Sequence, residues 1–234
     1  MKNMDVAVKS SVGQLDIIDN MFLRWNSKWP KFMSFDQNVF WYKNDEVVKQ
    51  SVWNEILSSP DNLQIRFDGF ESGNGVIFEG ETAHFFEKGE LVKSESRINQ
   101  SLLLGFDVYN QDPSITRKKI QQLGIDLSKF HEVVDEEGEV HLVFGTSDKQ
   151  DVSSSQFWIH KKELYLTRVI IVTDKHTDIY FKNYKIIGDF PVATKVVFII
   201  DKELLMIEEY YNVKFPANID EDIFLLDKFK STRW

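Results

Sequence analysis

From Gln156 to Phe224 the chain is a series of extended apolar runs separated only by short polar turns. Four runs cover 156–172, 178–187, 190–201 and 204–215, and no gap between them is long enough for a helix. Consecutive strands joined by tight turns pair antiparallel, because a parallel return needs a crossover of a dozen or more residues. This third of the chain therefore predicts an antiparallel meander. The rest of the sequence reads as more of the same sheet and the helices that cover it.

Period-two alternation runs through the last strand. Leu205, Ile207, Glu209, Tyr211, Val213 and Phe215 form one nearly apolar face, and Met206, Glu208, Tyr210, Asn212 and Lys214 form a more polar one. Thr194 to Ile200 is apolar on both faces, which predicts a core on one side and a covering element on the other. Asp174-Lys175-His176, Gly188-Asp189 and Asp201-Lys202-Glu203 supply the turns.

Upstream, Leu15, Ile18, Phe22 and Trp25, with Ile17 and Met21 beside them, predict an amphipathic helix over about 13–28 that Pro30 ends. Strands follow at 32–43, 46–57 and 63–67. Shorter ones at 76–78, 82–87 and 91–96 are punctuated by glycines. The spacing at Gly73 and Gly75 follows no strand-to-helix pattern, so these are hairpin glycines rather than a phosphate loop. Residues 100–109 and 114–124 predict two short helices, the second opened by Asp112-Pro113-Ser114. A hairpin of 130–134 and 139–145 then leads through a polar loop into the meander. Asp220 is expected to cap a final helical turn, with Ile223 and Phe224 packed inward.

The expected fold class is mainly β (α+β). It is one strongly curved antiparallel sheet wrapped over helices, an N-terminal one and a central pair, that plug or cover its concave face. A mobile arm is expected at 1–12, one domain at 13–226 and a loosely packed tail at 227–234.

A net charge of −9, from 28 Lys and Arg against 37 Asp and Glu, argues against a nucleic-acid face. The absence of cysteine excludes thiolate catalysis, zinc–thiolate sites and disulfides. Sequence signatures of metalloproteases, P-loop nucleotidases and nucleophile-elbow hydrolases are absent. His131 and His141 fall on opposite arms of one expected hairpin, where two unremarkable strand histidines or a metal pair both fit. No metal or other cofactor is expected. No segment reaches the ~20 apolar residues of a spanning helix, and the first residues lack the apolar core of a signal peptide. Either the chain is cytoplasmic or an export signal once preceded it.

What remains is apolar capacity, with 19 Phe, 6 Trp and 7 Tyr. These rings either fill a core or line a cavity under a greasy segment at Leu102, Leu103, Leu104 and Phe106.

Four pieces of the last third resemble the LolA-like outer-membrane lipoprotein-sorting family. They are Phe157-Trp158-Ile159 with Leu164 to Val169, then Ile179 to Tyr184, Phe190-Pro191 with the strand 194–200, and Val213-Lys214-Phe215-Pro216-Ala217-Asn218-Ile219-Asp220 running to Phe224. Their order and spacing agree with the family. His160 stands where the family has Asp. No arginine here aligns to the early-strand arginine with which the family's carrier holds its lid; Arg66 merely lies on an expected strand.

The resemblance implies an unclosed barrel whose cavity holds the acyl chain of a lipid or lipoprotein in the bacterial periplasm, possible outer-membrane association, a monomer, no catalysis and no cofactor. Lipid-binding positions follow from alternation: Leu63, Ile65, Phe67, Phe78, Phe86, Phe181, Phe198, Ile207 and Tyr211 on strands, and Leu102, Leu103 and Phe106 on the lid. A second reading keeps the scaffold with a filled interior. It is then an envelope interaction module that presents Trp41, Trp53 and Trp234 to a protein partner. A third, a hydrolase, needs His131 or His141 to converge with acids and a nucleophile.

Overall fold

The computed structural model describes residues 16–26 and 28–234. The expected arm at 1–12, and Leu15 of the helical stripe, lie outside the described residues. Among those residues there are thirteen strands in one antiparallel sheet and three α-helices.

The chain opens with α1 (Asp16–Trp25), then β1 (Phe32–Lys43), β2 (Glu46–Ser58), β3 (Asn62–Phe67), β4 (Asn74–Glu79), β5 (Thr82–Glu87) and β6 (Glu90–Ser96). Next come α2 (Gln100–Gly105), a 3-10 turn at Asp107–Tyr109 and α3 (Pro113–Gln122). The second sheet half is β7 (Phe130–Val134), β8 (Val140–Phe144), β9 (Gln156–His160), β10 (Leu166–Val172), β11 (His176–Ile187), β12 (Phe190–Ile200) and β13 (Glu203–Lys214). The run expected as one strand at 156–172 is two. The chain turns at Lys161 to Tyr165, where Leu164 takes a positive φ of 59° and its N–H bonds back to the His160 carbonyl.

Strand order is β6-β5-β4-β3-β2-β1-β13-β12-β11-β10-β9-β8-β7. Every strand pairs with its chain neighbours except β6 with β7, and two features follow. β1 and β13 meet in the middle and join the halves. β6 and β7 lie on opposite edges, unpaired with each other, so the barrel is not closed. The connection from β6 to β7 must travel from one edge to the other. Residues 97–129 make that journey as the helical layer, which lays α2 and α3 across one face of the sheet.

Local chemistry explains the hairpins. Asn44 and Asp45 (φ 52° and 63°) make a two-residue loop between β1 and β2, and Asp201 and Lys202 (φ 51° and 71°) make another between β12 and β13. Positive φ at both centres matches the strand twist, and Asn and Asp tolerate it better than other non-glycine residues. Asn99 caps α2 by accepting from the N–H groups of Ser101 and Leu102, both at 3.0 Å. Asn99-Gln100-Ser101 has the form of a glycosylation sequon, and its Asn is thus a helix cap. Asp112 caps α3 with Pro113 in its first turn, as expected from the sequence.

The main core lies between the helices and strands β8 to β12. It includes Ile18, Met21, Leu103, Leu104, Val108, Ile120, Phe144, Phe157 and Val169. A second cluster joins Met33, Phe35, Leu57, Leu63, Val76, Phe78 and Ala83 to Leu102 of α2. Within α1 the buried residues are Ile17, Ile18 and Met21, with Phe22 and Trp25 half-buried.

The C-terminal segment covers the opposite face of β3 to β5, and there the expectation of a loose tail fails. Asp220 caps a 3-10 turn at Glu221–Phe224, and Ile223 is buried while Phe224 is half-buried. Beyond it Phe229 is fully buried, stacked on Phe86 at 3.9 Å between centroids and under the Arg66 guanidinium at 3.5 Å. Gly75 makes room for it, since a Cβ at that position would lie 2.9 Å from the Phe229 ring and 2.1 Å from the Ile65 carbonyl oxygen.

Candidate functional site

In an antiparallel pair, residues directly opposite each other share a face. Phe35 faces Glu55, Glu55 faces Ile65, Ile65 faces Val76 and Val76 faces Phe85. On the other half Gln37 faces Tyr210, Val39 faces Glu208, Glu208 faces Val196, and Phe198 faces Met206. All of these lie on the concave side, under the helical layer. The helices do not fill it completely. A groove of about 230 Å³ remains between β1–β5, β12, β13 and the start of the helical layer at Asn99 to Phe106.

Seven of the expected lipid-binding residues line this groove: Leu63, Ile65, Phe67, Phe78, Leu102, Phe106 and Phe198. The structure puts the other five elsewhere. Leu103 points into the main core, 2% exposed. Phe181 also joins that core and borders a small chamber of about 30 Å³ beside Trp29 and Tyr109. Phe86 lies on the opposite face of β5, on Phe229, and Phe85 takes the place in the groove.

Ile207 and Tyr211 are on the outer face. Met206, Glu208 and Tyr210 are the β13 residues that line the groove, the reverse of the face chosen from alternation. The cause is a bulge. Ser34 pairs with Lys214 but Asp36 pairs with Tyr211, so one residue is inserted near Asn212, which has φ 52°. Even positions face inward before it. Val213 and Phe215 pack on the second cluster after it. The apolar odd-numbered series therefore straddles two faces.

The groove also contains acids, a feature alternation missed. Glu55 and Glu208 are 6% and 5% exposed, and Gln37 is fully buried. Gln37 Nε2 donates to Glu55 Oε1 at 2.8 Å, and the Tyr210 hydroxyl donates to Glu208 Oε2 at 3.3 Å. Gln37 Oε1 is buried without a partner. Burial raises the Glu55 carboxyl well above its ordinary range, and the neighbouring Glu208 adds to the rise. Burial pushes Glu208 up to about 8. The groove's other polar lining is Arg97, Asn99, Gln100 and Ser101 at the start of the helical layer.

Trp53 stands beside Phe67 (4.5 Å between centroids) and Trp41 beside Trp53 (6.0 Å). Trp41, Trp53 and Trp234 are all half-buried rather than presented to solvent, and Trp234 packs edge-on against Phe70 at 4.7 Å. Arg66 does not reach the helices. It lies on the outer face and donates to the Phe229 carbonyl and to Thr232 Oγ1 (3.0 Å).

What anchors the helical layer instead is Asp107. It accepts from the Ser59 hydroxyl at 2.9 Å and the Asp61 N–H at 3.2 Å, in the β2–β3 turn. Asp61 in turn accepts from Gln111 Nε2 at 3.2 Å and from the Lys119 ammonium.

A larger bowl of about 680 Å³ opens near the β7–β8 turn. Its histidines and its arginine are engaged with neighbouring acids. His141 contacts Asp135 at 2.8 Å and Thr167 at 3.0 Å, and His160 contacts Glu139 at 2.9 Å. The Glu163 N–H donates to His160 Nδ1 at 3.1 Å, so Nε2 carries the proton given to Glu139. Arg168 forms two hydrogen bonds with Asp178, at 2.8 and 2.6 Å, between the rings of Trp158 and Tyr180. His131 is not opposite His141: they face Val143 and Val133. No group of three or more metal-ligating side chains occurs among the described residues.

No helix among the described residues is long and apolar enough to cross a membrane. No family model matches this chain, and no curated protein does. Solved structures do. A DUF1329 family protein from Desulfovibrio piger superposes with a TM-score of 0.60 at 12% identity, covering 90% of this chain and 95% of that one. An outer membrane lipoprotein-sorting protein domain from Vibrio parahaemolyticus gives 0.57 at 14%, covering 92% and 97%. A LolA superfamily protein from Nitrosomonas europaea gives 0.53 at 11%, covering 88% and 96%. Thirteen antiparallel strands that do not close, with helices laid across the concave face, make this a LolA-like fold.

Proposed function

We propose that the concave groove binds the acyl chain of a lipid or lipoprotein, and that the protein acts as a carrier or receiver of that cargo in the bacterial periplasm rather than as an enzyme. The observation that carries this reading is the groove itself. Apolar side chains from β1–β5, β12 and β13 face the helical layer without filling the space beneath it. Each methylene placed there contributes roughly 0.8 kcal/mol, so a chain of ordinary length binds on apolar contact alone. The similarity to a lipoprotein-sorting domain supports the class of cargo and the compartment. A packed interior, which the interaction-module reading requires, is disfavoured by the same space.

The test is native mass spectrometry of the purified protein with organic extraction of what accompanies it, followed by uptake of a fluorescent fatty alcohol. Phe67→Glu, at the groove wall, is expected to abolish uptake. Tyr211→Glu, on the outer face, is expected to leave it unchanged. A clean mass together with no uptake by the unmodified chain would overturn the proposal.

A further inference from the structure

We propose that this groove selects a ligand whose apolar chain ends in a cationic amine, received by Glu55, Glu208 and Gln37. The inference rests on the acyl-chain reading above and specifies the polar end of the ligand.

Once its acids are ionised, the cluster has a surplus of acceptors. Two carboxyl groups and an amide carbonyl stand together on the concave wall, and the donors facing them are the Gln37 amide and the Tyr210 hydroxyl. Gln37 is fully buried, its Nε2 is shared between Glu55 and Glu208, and its Oε1 receives nothing. No lysine or arginine among the described residues forms an ion pair with either glutamate. The cation on the groove lining, Arg97, sits by Glu95 at 3.6 Å. The neighbours across the strands are apolar: Phe35 and Ile65 flank Glu55, while Val39 and Val196 flank Glu208.

Without a counter-charge these buried acids hold their protons, and giving them up opposes folding. A primary ammonium supplies what is missing, since it carries three donors, no acceptor and the compensating charge. A fatty-acid carboxylate brings a further negative charge beside two acids in an apolar wall and is disfavoured. A metal ion fits less well, because no third carboxylate or histidine joins the pair.

Titration calorimetry on the full chain at neutral pH compares dodecylamine, dodecanol and dodecanoate. Dodecylamine is expected to bind about tenfold or more tightly than dodecanoate, with dodecanol between them. In the double variant Glu55→Gln/Glu208→Gln, which keeps the side-chain shape and is checked for folding by circular dichroism, the preference is expected to fall to within about twofold. Lysophosphatidylethanolamine separates the two sources of an ammonium. If it binds more tightly than dodecylamine the ligand is a lipid headgroup, and if more weakly it is a free long-chain amine. Dodecanoate binding as tightly as dodecylamine, with dodecanol also bound, overturns this inference and spares the groove. Failure of all three chains to bind overturns the groove reading and the inference together.

Discussion

The Ser59 hydroxyl donates a 2.9 Å hydrogen bond to Asp107 Oδ1 across 48 positions of sequence. It fastens the helical layer to the turn between β2 and β3. Asp107 also accepts from the Asp61 N–H, and Asp61 accepts from Lys119 and Gln111, so the layer is held at one end of the sheet by a buried polar network. Asp107→Ala leaves the Ser59 hydroxyl and the Asp61 N–H without their acceptor. The expected cost is about 2–3 kcal/mol, measured by urea unfolding. Asp107→Asn keeps one acceptor but turns an amide toward the Asp61 N–H, and is expected to cost about 1–2 kcal/mol.

Stability is expected to fall as pH rises through the neutral range. Glu208 moves from its ordinary 4.5 to about 8, and Glu55 moves in the same direction, both chiefly through burial. Asp107 moves from 3.8 to about 7, also through burial, with the Ser59 hydrogen bond opposing. A raised carboxyl pKa means that the folded chain holds protons the unfolded chain has released. Their stabilising effect is complete below the unfolded pKa values near 4 and is lost as pH climbs through about 7 to 8. Thermal or urea unfolding between pH 5 and 9 is expected to show a loss of several kcal/mol. Glu55→Gln/Glu208→Gln should flatten most of that slope. A profile that rises with pH would contradict the burial of these acids.

Phe106 and Tyr210 border both the main groove and the small chamber beside Trp29. Shortening Phe106 to Ala is expected to join the two spaces. The preferred chain length in a homologous fatty-alcohol series should then increase, at a stability cost of about 2–3 kcal/mol for the half-buried ring.

The C-terminal segment is structural. Phe229→Ala removes a fully buried ring stacked between Phe86 and the Arg66 guanidinium, and is expected to cost about 3–5 kcal/mol. Because this ring lies on the face away from the groove, the affinity of the folded fraction for dodecanol should not change. Equilibrium unfolding and calorimetry separate the two quantities.

Most of the strands, their order along the chain and the antiparallel pairing of chain neighbours were legible in the sequence, whereas the break of 156–172 into two strands and the meeting of β1 with β13 were not. Period-two runs and turn pairs such as Asn44-Asp45 and Asp201-Lys202 are local, and each acts through its own backbone preferences. The caps at Asp112 and Asp220 were legible for the same reason. The assignment of faces was not. Alternation identifies a buried face only when the other face meets water, and here both sides of β3 to β5 are covered. The helices cover the concave side, and the segment around Phe229 covers β3 to β5 from outside. A single extra residue near Asn212 then shifts the phase of β13, placing Tyr211 outside while Phe215 packs within. Glu55 and Glu208 were unreadable for a related reason: an acid in a strand looks solvated until its cross-strand neighbours are known. Which residues would be strands was written locally. Which of them would face the groove, and which charges it would bury, depended on pairing across the sheet and on the helical connection from β6 to β7, and those exist only once the chain has folded.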